Sequence, residues 1–87
     1  MFGNITVKDV KKHVGSLVKT MRQRDAITQE ELAEKLDLSR ITIQNLEAGK
    51  NPTIDTVLKV FQYFDLLAGF DSYVANEIQN NGQQSLY

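Results

Sequence analysis

Cysteine is absent from the 87 residues, which excludes disulfides, thiolate zinc sites and thiol nucleophiles. Histidine occurs once, at His13, so imidazole metal clusters fall away as well. No apolar run approaches the roughly 20 residues that a membrane-spanning helix needs. The start, Met1-Phe2-Gly3-Asn4, has neither the charged nor the apolar segment of a secretory signal. Proline occurs once and glycine five times, too sparsely within the periodic segments to support many strands with tight turns. At 9.9 kDa the chain is one small domain with a thin core, burying about three-fifths of its unfolded surface. An extended catalytic cleft between two lobes does not fit that size. What remains, 41% hydrophobic and 24% charged, describes a cytoplasmic globular module with no cofactor and no metal.

Net charge is only −1, with a pI near 5.7, and taken alone it argues against a nucleic-acid partner. The average conceals an asymmetry. Residues 1–24 hold Lys8, Lys11, Lys12, Lys19, Arg22 and Arg24 against Asp9 alone. Residues 51–87 hold Lys59 against Asp55, Asp65, Asp71 and Glu77. Segregation of this kind lets a nearly neutral protein present one positive face, and the local field matters more than the total.

The periodicity predicts an all-α chain of five helices. Val7, Val10, Val14, Leu17, Val18 and Met21 recur at three- and four-residue steps as one apolar stripe, capped by Thr6 and ending near Arg24. Thr28-Gln29-Glu30-Glu31 is a capping box, with Ile27 and Leu32 as its hydrophobic staple. Leu32, Ala33 and Leu36 form the inner face of this second helix. Ser39 caps a third, from Arg40 to about Ala48, with Ile43 and Leu46 inward and Gly49 as the left-handed residue after it. Thr53 caps a fourth, with Ile54, Val57, Leu58, Phe61 and Phe64 inward. Leu66 to Gln79 reads as a fifth, which sets the domain at residues 6–79. The polar stretch 80–87 reads as a flexible tail.

Two short helices joined by about three residues, the second polar on its outer face, form a helix-turn-helix pattern. Ala33 supplies the small residue where the helices cross, opposite Ile43. Asp37 takes the turn position that requires positive φ, less comfortably than glycine would. Leu38 plugs the corner. On the outward face of the third helix lie Ser39, Arg40, Ile41, Gln44 and Asn45, candidates for base contacts. Arg40 can bind guanine O6 and N7 together, and Gln44 can bind adenine N6 and N7. An outward isoleucine is costly in water but suits a thymine methyl; the alternative buries Ile41 against a neighbouring helix. Asn45 stands between base and phosphate. Thr28, Gln29, Thr42 and Lys50 are the phosphate candidates, Gln29 because it opens a helix whose amides and dipole favour an anion.

Across Thr28-Gln29-Glu30-Glu31-Leu32-Ala33-Glu34-Lys35-Leu36 and Ser39-Arg40-Ile41-Thr42-Ile43-Gln44-Asn45-Leu46-Glu47-Ala48-Gly49-Lys50, the chain closely resembles the lambda-repressor-like, Cro-type (xenobiotic-response-element) DNA-binding family. The resemblance extends over roughly residues 8–66. It implies a five-helix domain that binds a pseudopalindromic operator in double-stranded DNA as a homodimer and represses transcription. It also implies a structural ion pair between Arg22 and Glu47, and a phosphate clamp at Thr28 and Gln29. Ala26, Asp37 and Asp65 depart from the family by standing at turn positions where glycine is usual. The fifth helix, with Leu66, Phe70, Tyr73 and Val74, either completes the monomer core or forms the two-fold interface, and both roles are expected.

The family also includes HipB-type antitoxins, so a second reading is an antitoxin that neutralises a HipA-like kinase toxin and represses its own operon. In that reading Leu86 and Tyr87 anchor a docking tail; otherwise the tail is a loose end. An enzyme is the weaker class. Glu31 is consumed by the capping box, Glu30 and Glu34 lie along a solvated helix face, and His13 reads as a surface residue.

Overall fold

The computed structural model describes residues 3–85, with the backbone alone for 83–85. Five helices follow one another: α1 Val7–Arg24, α2 Gln29–Lys35, α3 Arg40–Glu47, α4 Ile54–Tyr63 and α5 Leu67–Ser85. There is no strand among the described residues, and no helix there is long and apolar enough to cross a membrane.

Local chemistry sets each boundary. Thr6, Thr28, Ser39 and Thr53 cap the first four helices, each side chain accepting from the amide three residues on. At Thr6 and Thr28 the reciprocal bond closes a capping box, from Asp9 and Glu31. The same four helices end alike. Ala26 (φ 56°), Asp37 (φ 56°), Gly49 (φ 76°) and Asp65 (φ 61°) take the left-handed conformation one residue past the cap. The next amide then reaches back five residues: Ile27 to the Arg22 carbonyl, Leu38 to Ala33, Lys50 to Asn45 and Leu66 to Phe61. These are Schellman closures, which satisfy carbonyls that a helix end leaves open. Only one of the four uses glycine.

The core lies where α2, α3, the middle of α1 and α4 converge, on Val18, Leu32, Ala33, Ile43, Leu46, Val60 and Phe64. Leu38 and Leu36 pack on its edge, beneath the turn between α2 and α3. Gly15 is buried in α1 because α1 crosses the end of α3 closely. A β-carbon there would sit 2.6 Å from the carbonyl oxygens of both Leu46 and Glu47.

Three expectations from the sequence need correction. The α1 stripe is amphipathic, but Val7 and Val10 are exposed along an open groove beside Pro52 and Val57, and Leu17 is exposed beside the buried Val18. Ile54, expected inward, is exposed at the start of α4. The fifth helix does not stop at Gln79 but continues to Ser85. Within that extension the Asn81 side-chain amide donates to the Glu77 carbonyl at 2.8 Å, a local bond that supports the helix without burial.

α5 meets α4 through an edge-to-face contact of Phe70 on Phe61, ring centroids 6.2 Å apart. From Ala68 to Gly82 every residue is exposed, so α5 contributes nothing to the buried core. It gives the molecule its length, 50 × 25 × 21 Å.

Candidate nucleic-acid interface

α3 is a short helix held from behind. Ile43 and Leu46 are buried against α2 and α1, and the opposite side faces solvent. Ser39, Arg40, Ile41 and Gln44 are exposed there, and Asn45 is half-buried at the margin. Ile41 is 65% exposed and has no neighbouring helix over it. Two of the hydroxyls on this face are already engaged. The Ser39 hydroxyl accepts from the Thr42 amide at 3.1 Å and shares a hydrogen bond with the Thr42 hydroxyl at 2.8 Å. One hydroxyl proton and part of the acceptor capacity of the pair remain for a ligand.

Arg22 and Glu47 brace this helix. The Arg22 Nε and Nη2 donate to the two carboxylate oxygens of Glu47 at 2.7 and 3.0 Å, a fork-to-fork geometry. Arg22 Nη1 donates in addition to the Ile27 carbonyl at 3.0 Å, tying in the turn that leads to α2. The side chains are 13% and 5% exposed. Burial pushes the Glu47 carboxyl up, but hydrogen bonds from Arg22 and Gln29, with the charges of Arg22 and Lys19, outweigh it and hold the group below its ordinary value. The hydrogen bonds to Glu47 raise the Arg22 guanidinium in turn.

Gln29 is the third arm of this network, which sequence reasoning missed. Its Nε2 donates to Glu47 Oε1 at 3.0 Å, so α1, α2 and α3 meet on one carboxylate. The side-chain nitrogen of Gln29 is thereby committed inward. At the same end of α2, the Thr28 amide donates to Glu31 Oε1 and the Thr28 hydroxyl accepts from the Glu31 amide. The backbone amides of Gln29 and Glu30 are left as those without a helical partner. They border a shallow polar hollow of about 570 Å³ that also takes in Arg22 and Arg40. Lys50 stands exposed at the far end of α3. Gly15 was the other residue missed; its need for glycine comes from a crossing between distant segments, which leaves no local mark.

A buried hub beneath, an exposed polar helix above and cations at both its ends define a helix-turn-helix DNA-binding domain. The helix-turn-helix family, of Cro/C1 type, matches residues 18–67, more than half of the chain, and the chain belongs to it. The match begins well inside α1 rather than near residue 8. Members of this family are transcriptional regulators that bind double-stranded DNA, and the present chain is such a regulator. No curated protein matches the chain significantly.

Proposed function

We propose that the protein is a homodimeric, sequence-specific repressor that lays α3 in the major groove of each half of a pseudopalindromic operator. Ser39, Arg40, Ile41, Gln44 and Asn45 contact base edges; Thr28, Gln29, Thr42 and Lys50 contact phosphates and fix the docking. The observation that carries this reading is Ile41, a large apolar side chain 65% exposed on an otherwise polar face. In water that exposure has no benefit, whereas against a thymine methyl it becomes a contact. Arg40 beside it has no carboxylate partner among the described residues and is free to reach a guanine.

The second copy is supported by α5. Phe70, Tyr73, Val74 and Ile78 stand exposed, and a groove of about 540 Å³ opens between α4 and α5 along Leu58, Leu67, Phe70 and Val74. Leu66 packs on the core and can contribute only the rim of an interface. Pairing through α5 would set two copies of α3 to enter successive major grooves, about 34 Å apart.

The antitoxin reading rested on the resemblance to HipB-type antitoxins, with Leu86 and Tyr87 as docking anchors. Residues 80–85 are helical, and Leu86 and Tyr87 lie outside the described residues, so no observation favours it over the repressor. Selection of bound duplexes from a random pool tests the proposal. A two-fold symmetric consensus is expected, and an asymmetric site or no enrichment would overturn it.

A further inference from the structure

The first turns of α1, residues 7–17, lie ahead of the family match and pack on the turn that leaves α3. Lys12 lies across Gly49: a β-carbon built there would come within 3.2 Å of Lys12 Cγ and 3.3 Å of its Cα. One residue earlier, Lys11 Nζ donates to the Asn51 side-chain oxygen, strapping α1 to the same turn. Lys8 shares the face of Lys12, one helical turn away. Lys8 and Lys12 are exposed, and Lys12 lies beside Gly49, the residue before the exposed Lys50.

None of these three lysines forms an ion pair among the described residues, although the Asp9 carboxylate lies close enough to feel the charge of Lys12. The ion pairs there join Arg22 to Glu47, Arg24 to Asp25 and Lys59 to Asp55. Asp9, beside Lys8, directs its carboxylate to the Thr6 amide at 3.1 Å as part of the cap; its hydrogen bonds with Thr6, and less so the charges of His13 and Lys12, hold it below its ordinary value. Arg24 and Lys59 are exposed cations paired with an acid, whereas Lys8, Lys12 and Lys50 make no such pair among the described residues, and the one acid near them, Asp9, is engaged in the helix cap.

We propose that the amino-terminal half of α1 is a second DNA-backbone surface, on which Lys8 and Lys12 extend the phosphate track of Lys50 beyond the base pairs that α3 reads. This rests on the DNA-binding orientation proposed above. Lys11, held by Asn51, serves as the strut that fixes α1 to the α3–α4 turn. The partner is the sugar–phosphate backbone of flanking duplex, which carries no sequence preference.

The test is the salt dependence of binding for the full chain and for a Lys8→Gln/Lys12→Gln double variant, which keeps most of each stem and removes both charges. Two duplexes are used, a selected operator with long flanks and the same operator trimmed to the base pairs facing α3. On the long duplex the variant should bind more weakly, with the log–log salt slope flattened by about 0.9 for each phosphate that is no longer neutralised. The ratio of operator to scrambled affinity should be unchanged, and on the trimmed duplex the two proteins should coincide. Replacing both lysines with arginine should restore the slope. Equal slopes on the long duplex, with unfolding curves that match wild type, would overturn the inference while leaving the α3 reading intact. If the wild-type chain binds neither duplex, both readings fall together.

Discussion

Val18, Leu32, Ile43, Leu46 and Val60 are each at most 1% exposed, whereas Val7, Tyr73 and Ile78 are 71%, 64% and 67% exposed. The first group lies within the stretch that matches the family, the second in the helical ends outside it. Both regions are amphipathic helix with good caps or local polar support. What separates them is whether another element covers the apolar side. Between residues 18 and 67 four helices cover one another, and three of them meet on Glu47; outside that stretch the apolar sides of α1 and α5 are largely uncovered. Helicity is therefore a local property here, and burial is not. The ends have a surface that suits partners rather than a core.

The comparison can be broken most forcefully at the hub. Arg22→Ala leaves a carboxylate 5% exposed with only Gln29 to meet it, and a loss of about 3–5 kcal/mol in chemical denaturation is expected. The same pair has a pH signature. Glu47 is held below its ordinary value near 4.5, so its contribution is complete above that value and disappears as pH falls through the depressed one. Arg22→Ala should flatten that acid limb of the stability curve. A variant as stable as wild type would show that α3 needs no brace.

Next comes the crossing of α1 over α3. Gly15→Ala places a methyl group 2.6 Å from two carbonyl oxygens, and thermal unfolding should show a loss of about 1–3 kcal/mol. Smaller and opposite in sign is the relief of a left-handed turn. Ala26→Gly removes the cost of φ 56° on a residue with a β-carbon, and a gain of about 1 kcal/mol is expected. The least effect on the protomer belongs to the ends. Ile78→Ser should change protomer stability by no more than about 0.5 kcal/mol. Sedimentation should nevertheless show weakened self-association; a large loss of protomer stability would place α5 with the core instead.

Much of this was visible in the chain, for identifiable reasons. Caps at Thr6, Thr28, Ser39 and Thr53, and the left-handed residues Asp37 and Gly49, depend on neighbours within a few positions. The outward face of α3 followed from periodicity. Periodicity does not say what covers a stripe, however, which is why Val7, Val10 and Ile54 were expected inside. Composition misjudged residues 80–85, where Asn81-Gly82 and the surrounding asparagine and glutamine suggested a loose tail, whereas the helix runs through them to Ser85. Gly15 and the inward turn of Gln29 depend on segments far apart in the chain. They needed the fold.

The most direct measurement is the affinity of Arg40→Ala for a selected operator and for every single-base variant of it. A loss of about 1–3 kcal/mol on the operator is expected, with discrimination relaxed at one position in each half-site and retained elsewhere. An equal loss on every sequence would mean that Arg40 touches only the backbone, and that the exposed face of α3 does not read bases through it.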